Sequence, residues 1–184
     1  SGHALREAWS ALVDETADAY RALDPSVRVP WAGPSMSARS AISARQMETW
    51  AHGQEVFDIL GAAREERDRI RNIVVLGINT YGWTFKVRGE TPPGPMPLVE
   101  LTSPSGALWT YGEPQDGSVI RGEAVEFAQV VTQTRNIADT HLTVVGECAR
   151  RWMQNAQCFA GGANPPPPQL SLIHISEPTR RRGI

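Results

Sequence analysis

The run Thr91-Pro92-Pro93-Gly94-Pro95-Met96-Pro97 constrains this chain more than any other segment, because four of its seven residues are proline. Each proline fixes φ and removes a main-chain donor, so neither a helix interior nor a central strand can pass through it. The hydrophobic period changes across the run. Before it, apolar residues recur at helical spacing, and after it they alternate as in strands. The expected fold class is therefore α+β, with helices over residues 1–90, a small α/β domain over 91–162 and a disordered tail over 163–184.

In the first part, Leu5, Ala8, Trp9, Leu12, Val13, Thr16, Tyr20 and Leu23 predict an amphipathic helix that ends at Asp24-Pro25. Val29-Pro30-Trp31-Ala32-Gly33-Pro34 reads as an extended connector. Ser35 or Ser37 can cap a second helix that runs to Leu60, with Gly61 as its stop. That helix is apolar nearly all round and is expected to be central. A third helix is predicted from about Glu65 to Gly89. It would turn Ile70, Ile73, Val74, Gly77, Ile78, Tyr81 and Phe85 inward, with residues 64–71 as a solvated opening.

Beyond the proline run, Leu98 to Ser103 alternates, Pro104-Ser105-Gly106 supplies turn chemistry and Ala107 to Tyr111 forms the second arm of a hairpin. A short strand follows at Ser118 to Arg121, then a helix through Ala124, Phe127, Val130 and Val131. Leu142 to Val145 reads as one more strand, and Glu147 to Phe159 as a last helix. The sheet is expected to be loosely antiparallel. Gly161 to Gln169, with four consecutive prolines, reads as a frayed end. Residues 170–180 resemble the translation of a transposase-type sequencing adaptor, and 170–184 are set apart from fold reasoning as an artefact. At the other end, Ser1 is no initiator and a helical pattern is running by Leu5, so the chain reads as an N-terminally truncated fragment.

Composition narrows the function classes. The net charge is −2 and the basic residues are arginine except for Lys86, with no clustered basic stripe, which argues against a nucleic-acid partner. No apolar run approaches the roughly 20 residues of a membrane span. A cytoplasmic protein with a small-molecule substrate is the expectation. Cys148 and Cys158 lack metal or redox spacing and read as buried thiols of a reducing compartment.

The segment richest in chemistry is Met47-Glu48-Thr49-Trp50-Ala51-His52-Gly53. Glu48 and His52, four apart in a helix, share a face one turn apart, and carboxylate oxygen with imidazole nitrogen is a donor set zinc accepts. Two ligands do not complete a site. Arg45 and Glu55 flank the pair, and an ion-pair ladder along the helix without metal is the other reading. His141 reads as a surface or capping residue. Arg135 ends a helix, where a cation is favourable, and from there it can reach a carboxylate. No nucleophile elbow or phosphate loop occurs. Trp31, Trp50, Trp83, Trp109 and Trp152 are expected in the core, with Trp31 at the mouth of the site.

These residues carry a family resemblance. Val29-Pro30-Trp31 with Gly33-Pro34, Ser37-Ala38, the run Met47 to Gln54, Val99-Glu100-Leu101-Thr102 with Pro104-Ser105-Gly106, and Leu108-Trp109 resemble one branch of the mycothiol-dependent maleylpyruvate isomerase-like proteins. The resemblance covers residues 4–162, and Glu-Thr-Trp-Ala-His-Gly is its most specific piece. It implies a DinB-like four-helix bundle holding a divalent metal, typically zinc, followed by a smaller α/β domain, so that this chain would carry a partial bundle. The family's Glu and His on the fourth bundle helix match Glu48 and His52. Its remaining ligand, a His on the second bundle helix, would lie before Ser1, and His3 is too early in its helix to replace it. The family's Asp after the ligand His stands here as Glu55. The implied chemistry is that of a thiol-dependent isomerase or thiol transferase with mycothiol as cosubstrate. The alternative is a non-enzymatic, metal-stabilised binding or scaffold protein. The absence of two bundle helices would leave apolar surface open, with a homodimer as one outcome.

Overall fold

The computed structural model describes residues 2–30, 35–115 and 117–170. The chain falls into two compact units, residues 1–50 and 51–184, and the division lies within the second helix. The expectations for Trp31 and for residues 171–184 fall outside the described residues.

In the first unit, α1 spans Gly2–Ala22 and is amphipathic as its spacing predicts. It ends where the Asp24 carboxylate accepts both the Ser26 N–H (2.8 Å) and the Ser26 hydroxyl (2.7 Å), an Asx turn that redirects the chain before Pro25 can continue the helix. Those two bonds hold the Asp24 carboxyl below its ordinary range. None of the residues of α1 is buried, and Leu5, Trp9 and Leu12 stand 73%, 60% and 57% exposed. Two short strands follow, β1 (Arg28–Val29) and β2 (Met36–Ser37), paired antiparallel.

Helix α2 covers Ala38–Leu60, and both predicted ends hold. Ser37 Oγ accepts the Ser40 N–H at 3.2 Å, the geometry of an N-cap. At the other end Gly61 takes φ +61°, and the N–H groups of Gly61 and Ala62 donate to the carbonyls of Asp58 (3.1 Å) and Phe57 (3.0 Å). This is a Schellman closure, which needs a residue free of Cβ strain. The expectation that α2 is central is corrected. It buries Met47, Trp50, Ala51 and Gln54 along one side, with Ala38 buried at its first turn, and leaves Ile42, Val56, Ile59 and Leu60 exposed. A helix with apolar residues all round needs cover on every side, and the described residues supply it on one.

Beyond α2 the chain runs through an extended stretch rather than the predicted charged helical turn. Arg67 is extended, and Arg64 and Glu66 form a half-buried ion pair at 3.3 Å, with the Arg64 guanidinium over the Phe57 ring at 5.4 Å. A short 3-10 turn, Asp68–Ile70, then leads into α3 (Arg71–Asn79). Asp68 anchors it to the later hairpin, accepting the Ser105 hydroxyl (2.7 Å) and N–H (3.0 Å), and the hydroxyl bond leads in holding its carboxyl below the usual range. The predicted third helix breaks at Thr80. Its hydroxyl donates back to the carbonyls of Leu76 (2.8 Å) and Gly77 (3.0 Å), and α4 (Tyr81–Lys86) restarts beyond it.

The hairpin forms as read, β3 (Leu98–Thr102) against β4 (Leu108–Tyr111). The third strand, β5 (Val119–Glu123), pairs parallel to β3, so the sheet is mixed rather than antiparallel. The chain leaves β4 beside the start of β3 and enters β5 on its far side, which brings β5 into the same direction as β3. Helix α5 (Ala124–Val131) follows, and β6 (Thr143–Val145) completes the order β4-β3-β5-β6. The last helix, α6, is Glu147–Met153, shorter than predicted and already over before Cys158.

Val99, Leu101, Trp109 and Ile120 alternate onto the buried side of the sheet. The buried side chains of the helices are Ile73 and Val74 from α3, Phe127 and Val131 from α5, and Trp152 from α6. Residues 71–86, the connecting helix of the sequence reading, form α3 and α4, which pack with α5 and α6. Gly77 permits the α3–α5 contact. A Cβ there would meet the Val131 methyls at 2.8 and 3.0 Å and Phe127 Cε1 at 3.1 Å. Gly77→Ala should therefore destabilise by about 1 kcal/mol, since overpacking of roughly 1–3 kcal/mol exceeds the roughly 1 kcal/mol that alanine gains in a helix interior. Thermal or urea unfolding measures this, and an alanine variant as stable as the parent would show that the contact is slack.

Candidate metal centre

Both sequence-predicted ligands stand on α2, one turn apart, and both are exposed. They lie on the solvent side of the helix with Arg45, Glu55 and Ile59, away from the buried line of Met47, Trp50, Ala51 and Gln54. His52 Nδ1 is 3.7 Å from Glu55 Oε1, with the two side chains 74% and 73% exposed. The Thr49 hydroxyl donates to the Arg45 carbonyl at 3.0 Å. Carboxylate and imidazole are thus presented in a helical i,i+4 relation suited to a shared cation, and Glu55 stands on the Nδ1 side of the imidazole, where an outer carboxylate commonly orients a ligand histidine. Among the described residues no group of three or more His, Cys, Asp or Glu side chains converges on a metal position.

The other residues singled out by sequence fall elsewhere. His141 is a surface residue whose N–H donates to both oxygens of Glu126 (3.1 Å each) and whose Nδ1 lies 2.8 Å from the same carboxylate. Arg135 does reach a carboxylate. Its guanidinium grips Asp58 with two hydrogen bonds, 2.8 and 2.5 Å, and Gln54 donates to the same Asp58 at 2.9 Å. The Arg135 bond is the main reason that the Asp58 carboxyl lies below its ordinary range. Asp58 was missed in the sequence. Its neighbour Gln54 at i,i+4 was legible, whereas its guanidinium partner is 77 residues away. Cys148 is half-buried rather than buried, and lies 2.9 Å from the Tyr81 hydroxyl. That hydroxyl also donates to the Gly94 carbonyl at 2.8 Å, and burial is the main cause that pushes Tyr81 well above the usual phenol range. Cys158 is buried and takes part in no disulfide.

Comparison with known proteins bears on the segment that carries the pair. Residues 1–57 match the mycothiol maleylpyruvate isomerase N-terminal domain. This is the family that the Glu-Thr-Trp-Ala-His-Gly run resembles, and the matched stretch contains both Glu48 and His52. Two uncharacterized proteins of Mycobacterium tuberculosis, from two strains, are each 44% identical to the chain over 134 residues, which is 73% of this chain and 52% of theirs. The chain thus spans about half the length of the curated relatives it matches. No solved structure matches it. No helix among the described residues is long and apolar enough to cross a membrane.

The Asp58–Arg135 pair has a measurable consequence. A carboxyl whose folded pKa is lowered stabilises the fold above its unfolded value, about 3.9, and loses that contribution as the pH falls through the folded value. Because Asp58 is 41% exposed, solvent screening limits the pair to about 1 kcal/mol. Asp58→Asn and Arg135→Ala should each lower stability at pH 7 by roughly that amount and make the loss of stability below about pH 4 shallower than in the parent. Urea titrations at pH 7 and pH 3 test this, and an unchanged difference between the two pH values would remove the pair from the account.

Proposed function

We propose that Glu48 and His52 are metal ligands and that the protein is a divalent-metal-binding member of the mycothiol maleylpyruvate isomerase-like group, with zinc as the metal. The observation that carries the reading is the placement of a carboxylate and an imidazole on one exposed face of α2, within the stretch that matches the family's N-terminal domain. The donor types suit zinc, but their number does not complete its coordination, since four ligands are usual. Glu48 and His52 would hold the metal jointly, and Glu55, beside Nδ1, would orient the imidazole. Zinc with an open position lowers the pKa of a bound water or thiol. The chemistry we assign to the whole protein is accordingly thiol-dependent isomerisation or thiol transfer on a small-molecule substrate in the cytoplasm, with mycothiol as the thiol cosubstrate.

A second reading is favoured by the exposure of the pair and by the His52–Glu55 ion-pair distance. In that reading the face is a solvated ladder, and the protein is a non-enzymatic binding or scaffold module. Zinc titration against a chromophoric chelator separates the two. Binding that weakens at least about tenfold in both Glu48→Ala and His52→Ala supports the first reading. Equal, negligible uptake of zinc, nickel and manganese by all three proteins leaves the second.

We further propose a homodimer as the partner state, supported by the exposed line Leu5, Trp9 and Leu12 on α1. Sedimentation of the parent should show concentration-dependent dimer, abolished in Leu12→Glu. A monomer at all concentrations would remove this partner.

A further inference from the structure

Glu48 and His52 belong to a longer pattern on the exposed face of α2. Ala41, Arg45, Glu48, His52, Glu55 and Ile59 follow one another at spacings of four, three, four, three and four residues. That is the heptad spacing of a coiled-coil seam, which brings all six side chains to one stripe of the helix. Five of them are exposed, Ile59 to 84%, and Ala41 is half-buried. The seam is polar in its middle and apolar only at its ends, so it has too little apolar surface to hold a second helix by itself.

The order of residues on the seam is complementary to its own reverse. Glu48 and His52 each lie two residues from Trp50, Arg45 and Glu55 each lie five from it, and Ala41 and Ile59 each lie nine. A twofold axis crossing α2 at this level sets two copies antiparallel and pairs each residue with the one equally far on the other side, because a twofold interface is isologous. Glu48 then meets the partner's His52, Arg45 meets the partner's Glu55, and the small Ala41 meets the partner's large Ile59. Opposite charges meet twice by symmetry, and each large apolar side chain is set against a small one. The same operation turns two ligands into four, the number zinc usually takes. Within one copy, no third His, Cys, Asp or Glu side chain joins the pair among the described residues.

Resting on the reading of Glu48 and His52 as metal ligands, we propose that α2 is a zinc-dependent dimerisation seam. Two copies of this chain pair antiparallel along Ala41 to Ile59, and each contributes Glu48 and His52 to one shared metal. Zinc supplies the association that the polar seam lacks, so the copies part when it is removed. The seam uses no residue of α1 and is independent of the line Leu5, Trp9 and Leu12.

The test uses the full chain carrying Leu12→Glu, which removes association through α1. Zinc is titrated against a chromophoric chelator while sedimentation velocity reads the assembly. The expected result is a monomer in zinc-free buffer and a dimer that saturates at about one zinc per two chains and is reversed by EDTA. His52→Ala should abolish the zinc-dependent dimer while leaving the helix content by circular dichroism unchanged. Arg45→Glu, which sets a carboxylate against the partner's Glu55, should weaken dimerisation by roughly fivefold at low salt. One zinc per chain in a monomer would overturn the proposal and leave the ligand reading standing. No zinc uptake at all would remove that reading and the proposal with it. A dimer indifferent to zinc, or one that Arg45→Glu leaves as tight as before, would also overturn it.

Discussion

The packing of the second unit turns on the indole of Trp152. It is fully buried, with Tyr81 edge-on at 5.0 Å and Phe127 edge-on at 5.7 Å, so a single side chain of α6 touches α4 and α5 at once. Phe85 extends the stack through Tyr81 at 5.4 Å. Edge-to-face pairs add about 0.5–1.5 kcal/mol each beyond the area they bury, and here they fix the mutual rotation of three short helices that could not persist alone. The sheet contributes the opposite wall through Val99, Leu101 and Ile120. The small size of the helices and the weight of the aromatic cluster are two sides of one design.

What could be read from the sequence was what local chemistry dictates. Ser37 and Gly61 mark the ends of α2 because capping is a property of a few adjacent residues. The 98–111 hairpin follows from alternation and a three-residue turn signal. What could not be read depended on partners far away. Nothing local in 118–121 says that β5 lies parallel to β3, and the break at Thr80 arises from a hydroxyl choosing the carbonyls of the preceding turn. Four prolines forbid a helix or strand ladder, yet the Pro167 carbonyl still accepts from Asn136, 31 residues away.

The candidate site shows the same division. The shared face of Glu48 and His52 was legible from their four-residue spacing, and so was Glu55 as a neighbour. Their exposure was not, because the sequence shows an apolar helix on all sides without showing which side is covered. The residues that grip one another most closely near the end of α2 are Gln54, Asp58 and Arg135, and the guanidinium that joins Asp58 comes from beyond α5. A carboxylate in that position serves architecture.

The proline run 92–97 lies inside the unit that spans 51–184. Its main chain is held by three unlike groups, the Tyr81 hydroxyl on Gly94, the Cys148 thiol at 3.4 Å from the Pro95 carbonyl and the Gln115 amide on the Met96 carbonyl. With the Tyr81 proton given to Gly94, the sulfur acts as the hydrogen donor in this corner, toward the phenol oxygen or Pro95. The stiffest stretch of the chain is thereby clamped by its softest atom. Chemical insult at that sulfur would be felt first as slack in a segment that contains no reactive group of its own.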